Sequence, residues 1–200
     1  MFILKASIYE SSIKRFSIPI HLKQLNNLLF CDCEQLQKVE IPINSELEII
    51  KNEVFYNTMI ESLLIPDSVV DLNEGWCSGT YQLNNIKVMP NNKRYKSIDD
   101  KFIFGKSKIE NDNFDVIVFA SRDIEEFKVP NSIISIEPFA FSECQSLQKV
   151  EIQNDSNLQK IGKCSFDNTN IKMIKIPSNV EVIGEETFSD CPFLKSIQFS

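Results

Sequence analysis

A short apolar pattern recurs along this chain at a nearly fixed interval, and that interval constrains the fold more than any other feature. The pattern is L-x-x-h-x-h, where h is apolar. It reads "IKRFSI" from Ile13, "LQKVEI" from Leu36, "IESLLI" from Ile60 and "LNNIKV" from Leu83, then "IEEFKV" from Ile124, "LQKVEI" from Leu147, "IKMIKI" from Ile171 and "LKSIQF" from Leu194. Successive separations are 23, 24, 23, 41, 23, 24 and 23 residues, and Pro follows five of the eight copies at once. A unit of this length makes a short strand, a turn, a second extended segment and a return, but it cannot enclose a core alone. Stacked units bury their apolar faces on one another, so the expected fold is a mainly β solenoid of about eight 23–24-residue repeats.

Strand alternation assigns the faces. In L-x-x-h-x-h the first residue and the two later apolar ones point inward, and the residues between them point out. Pro ends the strand because it has no N–H for the next ladder bond. The second segment ("IISIE", "LQKIG", "VEVIG") alternates as well, and Phe30, Phe55, Phe141, Phe166 and Phe188 are expected to plug the far side of the coil as a stacked column. A higher order sits above the repeat: residues 13–89 match 124–200 at 25 of 77 positions, so a four-repeat block is duplicated. Residues 1–200 are therefore expected to form a single solenoid. The one 41-residue step holds about 18 extra residues, with apolar runs Phe102–Phe104 and Val116–Phe119 around a polar stretch. It reads as an inserted β-hairpin over about residues 91–123.

Composition removes several function classes. A net charge of -7 argues against a general nucleic-acid binder. The only histidine, His21, leaves little room for His-based catalysis or for a zinc site, which needs four N or S ligands. Cys31-Asp32-Cys33 looks like a metal motif, but Cys33 shares its repeat slot with Cys144 and Cys191, a packing position for a small, soft side chain. "NDNFD" at Asn111–Asp115 lacks the Gly and Glu that a calcium loop requires and reads as a hairpin turn. Asn154-Asp155-Ser156 is the sole N-glycosylation sequence, meaningful only on an exported chain. No phosphate-cradling Gly-rich loop occurs, no cofactor is expected, and the chain is read as a non-enzyme.

Two stretches, "IPSNVEVIGEETFSDCPFLKSI" from Ile176 and "VPNSIISIEPFAFSECQSLQKV" from Val129, carry a resemblance to the BspA-like leucine-rich repeats, with "NDSNLQKIG" as a variant. The pattern departs from the family's at Trp76-Cys77, which replaces a small residue and Phe, and at Glu137, which replaces Gly. The resemblance covers nearly the whole chain. It implies a leucine-rich-repeat fold in which an "N-x-x-Y-x-x-I-D" insertion is ordinary architecture. It also implies a surface or secreted protein that adheres to host or extracellular-matrix proteins. The opening "MFILKASIYESS" does not read as a signal peptide, and no apolar run is long enough to span a membrane. The alternative is an intracellular structural scaffold with no adhesive role.

The outward strand residues supply the candidate binding face: Arg15, Lys38, Glu40, Lys87, Glu126, Lys128, Lys149, Glu151 and Lys175. Six are basic and three acidic, a local +3 on an acidic chain. A solvated face whose lysines discourage edge pairing is the competing reading. Two further expectations concern the ends. "FILKASIYESSIKRFSIP" resembles "VIVFASRDIEEFKVP", as if the chain opened on the second strand of a hairpin, and "LKSIQFS" stops inside an anchor strand. The chain is accordingly expected to be a segment of a longer array or to self-associate end to end through Leu194, Ile197 and Phe199.

Overall fold

A computed structural model describes residues 8–200. The hairpin strand expected at the start of the chain falls on residues 1–7, which lie outside the described residues. The chain divides into two compact units, Met1–Ile103 and Phe104–Ser200.

In the first unit the L-x-x-h-x-h anchors become β1 (Arg15–Ser17), β3 (Lys38–Glu40), β5 (Ser62–Ile65) and β7 (Asn85–Val88). Between them lie two-residue strands β2 (Gln24–Leu25), β4 (Ile49–Ile50) and β6 (Asp71–Leu72). Like strands pair in parallel with no slip: Phe16 faces Val39, Leu63 faces Ile86, and Leu25, Ile50 and Leu72 stand in one row. Parallel neighbours one repeat apart are what a coil that closes every 23–24 residues must produce. The core is the inner row of each strand, with Leu36, Val39, Ile50, Ile60, Leu63 and Ile86 all buried.

The inserted segment carries β8 (Tyr95–Ile98), β9 (Phe102–Gly105) and β10 (Val116–Ala120). The expected hairpin is present, and it has three strands rather than two, with β9 hydrogen-bonded to both β8 and β10. Three residues separate β8 from β9, so that pair runs antiparallel, because a parallel pair needs a much longer crossover. Asn92 starts β8: its buried Nδ2 donates to Pro66 O and Val69 O, and its Oδ1 accepts the amides of Arg94 and Tyr95.

The second unit repeats the first with β11 (Glu126–Lys128), β12 (Ser135–Ile136), β13 (Lys149–Glu151), β14 (Lys160–Ile161), β15 (Met173–Ile176), β16 (Val182–Ile183) and β17 (Ser196–Phe199). Anchors β11 and β13, then β15 and β17, pair in parallel, and β10, β12, β14 and β16 form the second ladder. Together the units hold eight anchor strands, an all-β solenoid of about eight turns with no helix among the described residues.

Aromatic columns run through both units. Phe16, Phe30, Phe55 and Trp76 follow one another at centroid distances of 5.0, 5.7 and 6.3 Å. Phe127, Phe141, Phe166 and Phe188 do so at 5.2, 5.0 and 5.8 Å. Trp76 takes over where the Phe slot holds Cys77, which accounts for that departure from the repeat pattern. Gly162 sits where backbones nearly touch: a Cβ there would lie 2.5 Å from Pro138 N.

The turns beside these columns use left-handed backbone at matching positions in successive repeats. Leu28, Glu53 and Gly75 share one position (φ 61°, 55° and 64°), and Asp32, Asn57 and Gly79 share another (φ 56°, 51° and 69°). Short polar residues tolerate this conformation better than most, and at the second position they also bond from repeat to repeat, Asn57 Nδ2 donating to Asp32 Oδ1 at 2.9 Å.

Candidate functional site

The nine candidate residues all lie exposed on anchor strands. Register groups them within each unit. In the first unit Arg15 stands beside Lys38, Ser17 beside Glu40, and Leu64 beside Lys87. In the second, Glu126 stands beside Lys149, Lys128 beside Glu151, and Lys175 beside Gln198. Neighbouring parallel strands lie roughly 4.8 Å apart, so each row is a ladder of side chains in contact range.

Much of the charge on these ladders is spent internally. Lys38 Nζ lies 2.7 Å from Glu40 Oε1, and Ser17 Oγ–H donates to Glu40 Oε2 at 3.1 Å. The Lys38 and Ser17 hydrogen bonds hold the Glu40 carboxyl below its ordinary range. Glu151 is approached by Lys128 at 3.5 Å and Lys149 at 3.7 Å. Among the described residues Lys87 and Lys175 have no ion-pair partner, nor does Glu126. These exposed pairs each contribute little to stability, and their effect is to set the pattern of potential on the face.

A depression of about 510 Å³ opens on this face in the second unit, lined by Glu125, Glu126, Gln148, Lys149, Lys172 and Met173. Sequence reasoning named only Glu126 and Lys149 among these as binding candidates. Glu125, Gln148 and Lys172 occupy the first variable position of the anchor, just ahead of each strand, where the repeat pattern gives no hint of a concavity. Backbone bonds tie them into consecutive rungs: the Gln148 amide donates to Glu125 O at 2.8 Å and the Lys172 amide to Gln148 O at 3.3 Å. Lys172 Nζ also donates to Gln148 Oε1 at 2.8 Å.

The cysteines behave as packing residues. All six are free, and all but Cys191 are buried. Burial pushes the thiols of Cys31 and Cys164 up to about 12 and that of Cys144 to about 11, so each stays protonated and a poor metal ligand or nucleophile at neutral pH. The slot shared by Cys33, Cys144 and Cys191 is filled in other repeats by Thr58, Thr80 and Thr169. Each bonds a turn carbonyl, as in Thr80 Oγ1–H to Cys77 O at 2.6 Å and Cys33 Sγ–H to Ile8 O at 2.9 Å. No three His, Cys, Asp or Glu side chains converge as a metal cluster among the described residues. At the hairpin loop, Asp115 turns inward and accepts from Ser107 N and Ser107 Oγ, each at 2.7 Å, and from Asn111 Nδ2 at 3.0 Å. His21 pairs with Glu46 at 2.9 Å on the exposed surface. No helix among the described residues is long and apolar enough to cross a membrane.

Parallel one-repeat register, an inward Leu/Ile/Val row and an aromatic column define a leucine-rich-repeat protein. The chain belongs to the BspA type leucine-rich repeat region family, whose model matches residues 2–119 and 113–200. Its fold is similar to a leucine-rich cell surface protein from Faecalibacterium prausnitzii A2-165 (TM-score 0.73, 21% identity, 96% of this chain and 62% of that one). It is similar also to the pneumococcal vaccine antigen PcpA (TM-score 0.77, 23% identity, 94% and 51%). A third likeness is to a leucine-rich repeat protein from Eubacterium ventriosum (TM-score 0.76, 22% identity, 96% and 55%). The chain thus spans between about half and three fifths of the length of these solved structures. None of the curated proteins matches it.

Proposed function

We propose that this chain is a non-catalytic protein-binding repeat scaffold that works in surface adhesion, with a host or extracellular-matrix protein as its partner. One observation carries the reading: the anchor strands, paired β1–β3, β5–β7, β11–β13 and β15–β17 in unslipped register, turn variable side chains outward and expose Lys, Arg and Glu. Likeness in fold to a bacterial cell surface protein and to a pneumococcal antigen supports the surface setting. The partner presents an acidic patch, because among the nine candidates the charges without an ion-pair partner are Arg15, Lys87 and Lys175 against Glu126 alone, and Lys38, Lys128 and Lys149 can exchange their internal carboxylates for the partner's. Such an interface forms fast at low salt and weakens as screening rises.

The test is solid-phase binding of the purified chain to a panel of purified matrix proteins at low and high ionic strength. Reversing Lys38, Lys128 and Lys149 to Glu is expected to leave circular dichroism unchanged and to weaken binding most at low salt. Binding that ignores both the reversal and the salt would overturn the proposal.

A further inference from the structure

Resting on the protein-binding reading above, we infer that the depression on β11, β13 and β15 is a docking site for an extended, proline-rich segment in the polyproline II conformation. The segment carries a basic side chain and an acidic side chain three residues apart.

The charges at the two ends of the depression have no ion-pair partner among the described residues, and Lys149 between them turns to Glu151 at 3.7 Å. Glu125 and Glu126 form one wall, both exposed and without an ion-pair partner among the described residues. Lys172 stands two rungs away, held only by the neutral Gln148 side chain at 2.8 Å. Gln148 and Lys149 occupy the rung between. The depression is therefore a fixed dipole, negative at the β11 rung and positive at the β15 rung, and its occupant must carry the opposite order.

Spacing selects the occupant's conformation. The β11–β13 step is a paired parallel one, and the β13–β15 step is joined by the Lys172 amide donating to Gln148 O at 3.3 Å, so the two steps span roughly 9.4–9.8 Å at the usual strand separation. A polyproline II helix returns to the same face every third residue and rises about 9.3 Å in doing so. A β-strand places same-face side chains roughly 6.7 Å apart, or roughly 13 Å over four residues, and matches neither charge. Met173, 52% exposed beside Lys172 on the β15 rung, offers a soft apolar surface for a proline ring. The depression, about 510 Å³ and lined by six residues, is of a size to hold a single extended segment.

The duplicated block adds an independent observation. Residues 111 positions earlier hold Lys14 and Arg15 on the first rung, Gln37 and Lys38 on the second and Glu61 on the third, all exposed. The two-rung dipole is present there with its sign inverted. A polyproline II segment has nearly the same outline in both chain directions, so one kind of segment fits both places, running oppositely.

The experiment is amide chemical-shift mapping by NMR with synthetic peptides. Pro-Pro-Arg-Pro-Pro-Glu-Pro-Pro is expected to shift the amides of residues 125, 126, 148, 149, 172 and 173. Three control peptides are expected to produce no saturable shifts there: one with Arg and Glu adjacent, one with two Arg and one with two Glu. Glu125→Gln with Glu126→Gln neutralises the acidic wall without adding bulk and is expected to abolish the shifts, while Lys108→Glu on the hairpin loop leaves them. Absence of shifts in the folded protein, equal shifts with the control peptides, or shifts confined to other residues would each overturn the inference. Matrix-protein binding that persists without peptide binding removes the docking site and leaves the broader reading standing.

Discussion

Phe141 and Phe188 belong to the same aromatic column but differ in enclosure, and that difference is measurable. Phe141 is fully buried between the rings of Phe127 and Phe166, whereas Phe188 has one ring neighbour and is only half-buried. Phe141→Ala removes a large apolar side chain and leaves a cavity, an expected loss of about 3–5 kcal/mol, with a smaller loss for Phe188→Ala. Denaturant titration checks the order; equal midpoint shifts, or a Phe141→Ala shift no larger than that of an exposed Lys substitution, would contradict the column. Asp115 supplies a second test on a single side chain. Burial alone would raise its pKa, but the hydrogen bonds from Ser107 and Asn111 prevail and hold it below the ordinary value. A carboxyl with a depressed folded pKa contributes stability above its unfolded value of about 4, and loses it as pH falls through the folded value. Asp115→Ala is therefore expected to cost about 1–3 kcal/mol at neutral pH and to flatten the acid side of the stability profile. An unchanged acid limb in pH-dependent unfolding would show that the loop is held by other contacts.

Among the strands, the repeat pattern is legible in the sequence because each rule behind it is local. Leu36, Val39 and Ile41 declare an inward row by alternation alone, and Pro42 declares its end. Phe16 and Phe127 are not recognisable as column members, because they sit on anchor strands where an inward aromatic looks like any other core residue. β8 is hidden for a different reason: "YKSI" has no apolar run, and its placement depends on Asn92, whose four bonds are to backbone atoms that only the folded coil brings near. The candidate face is legible as a set of exposed positions. Its concavity is not, since it depends on the reach of Lys172 to Gln148 between neighbouring rungs. The rung at β16 and β17 leaves Val182, Phe193, Ile197 and Phe199 exposed, the last at 71%. We propose that this apolar face mediates end-to-end association of the isolated chain. Light scattering across a concentration series is expected to show growth in mass that Ile197→Lys with Phe199→Lys prevents; a constant monomer mass would contradict it.

For the molecule as a whole, duplication explains why two units share strand order, aromatic column and Cys/Thr slots while differing in surface charge. Inward Leu36, Val39 and Ile41 recur as Leu147, Val150 and Ile152, each packed against neighbours in the coil. Outward residues touch solvent and one another; some recur, as Lys38 and Glu40 do in Lys149 and Glu151, and others change sign, as Lys14 and Arg15 do against Glu125 and Glu126. That division is the physical basis for assigning binding to the sheet face. We propose that residues 1–200 form one continuous array: both units are expected to unfold in one cooperative transition, and two separate transitions would contradict it. The assignment of protein binding to the outward face of the anchor strands stands or falls on hydrogen exchange with and without a bound matrix protein. Slowed exchange is expected along β11, β13 and β15 and their counterparts β1, β3 and β5, with β12 and β14 unchanged. Protection confined to β12, β14 and the aromatic turns would contradict it.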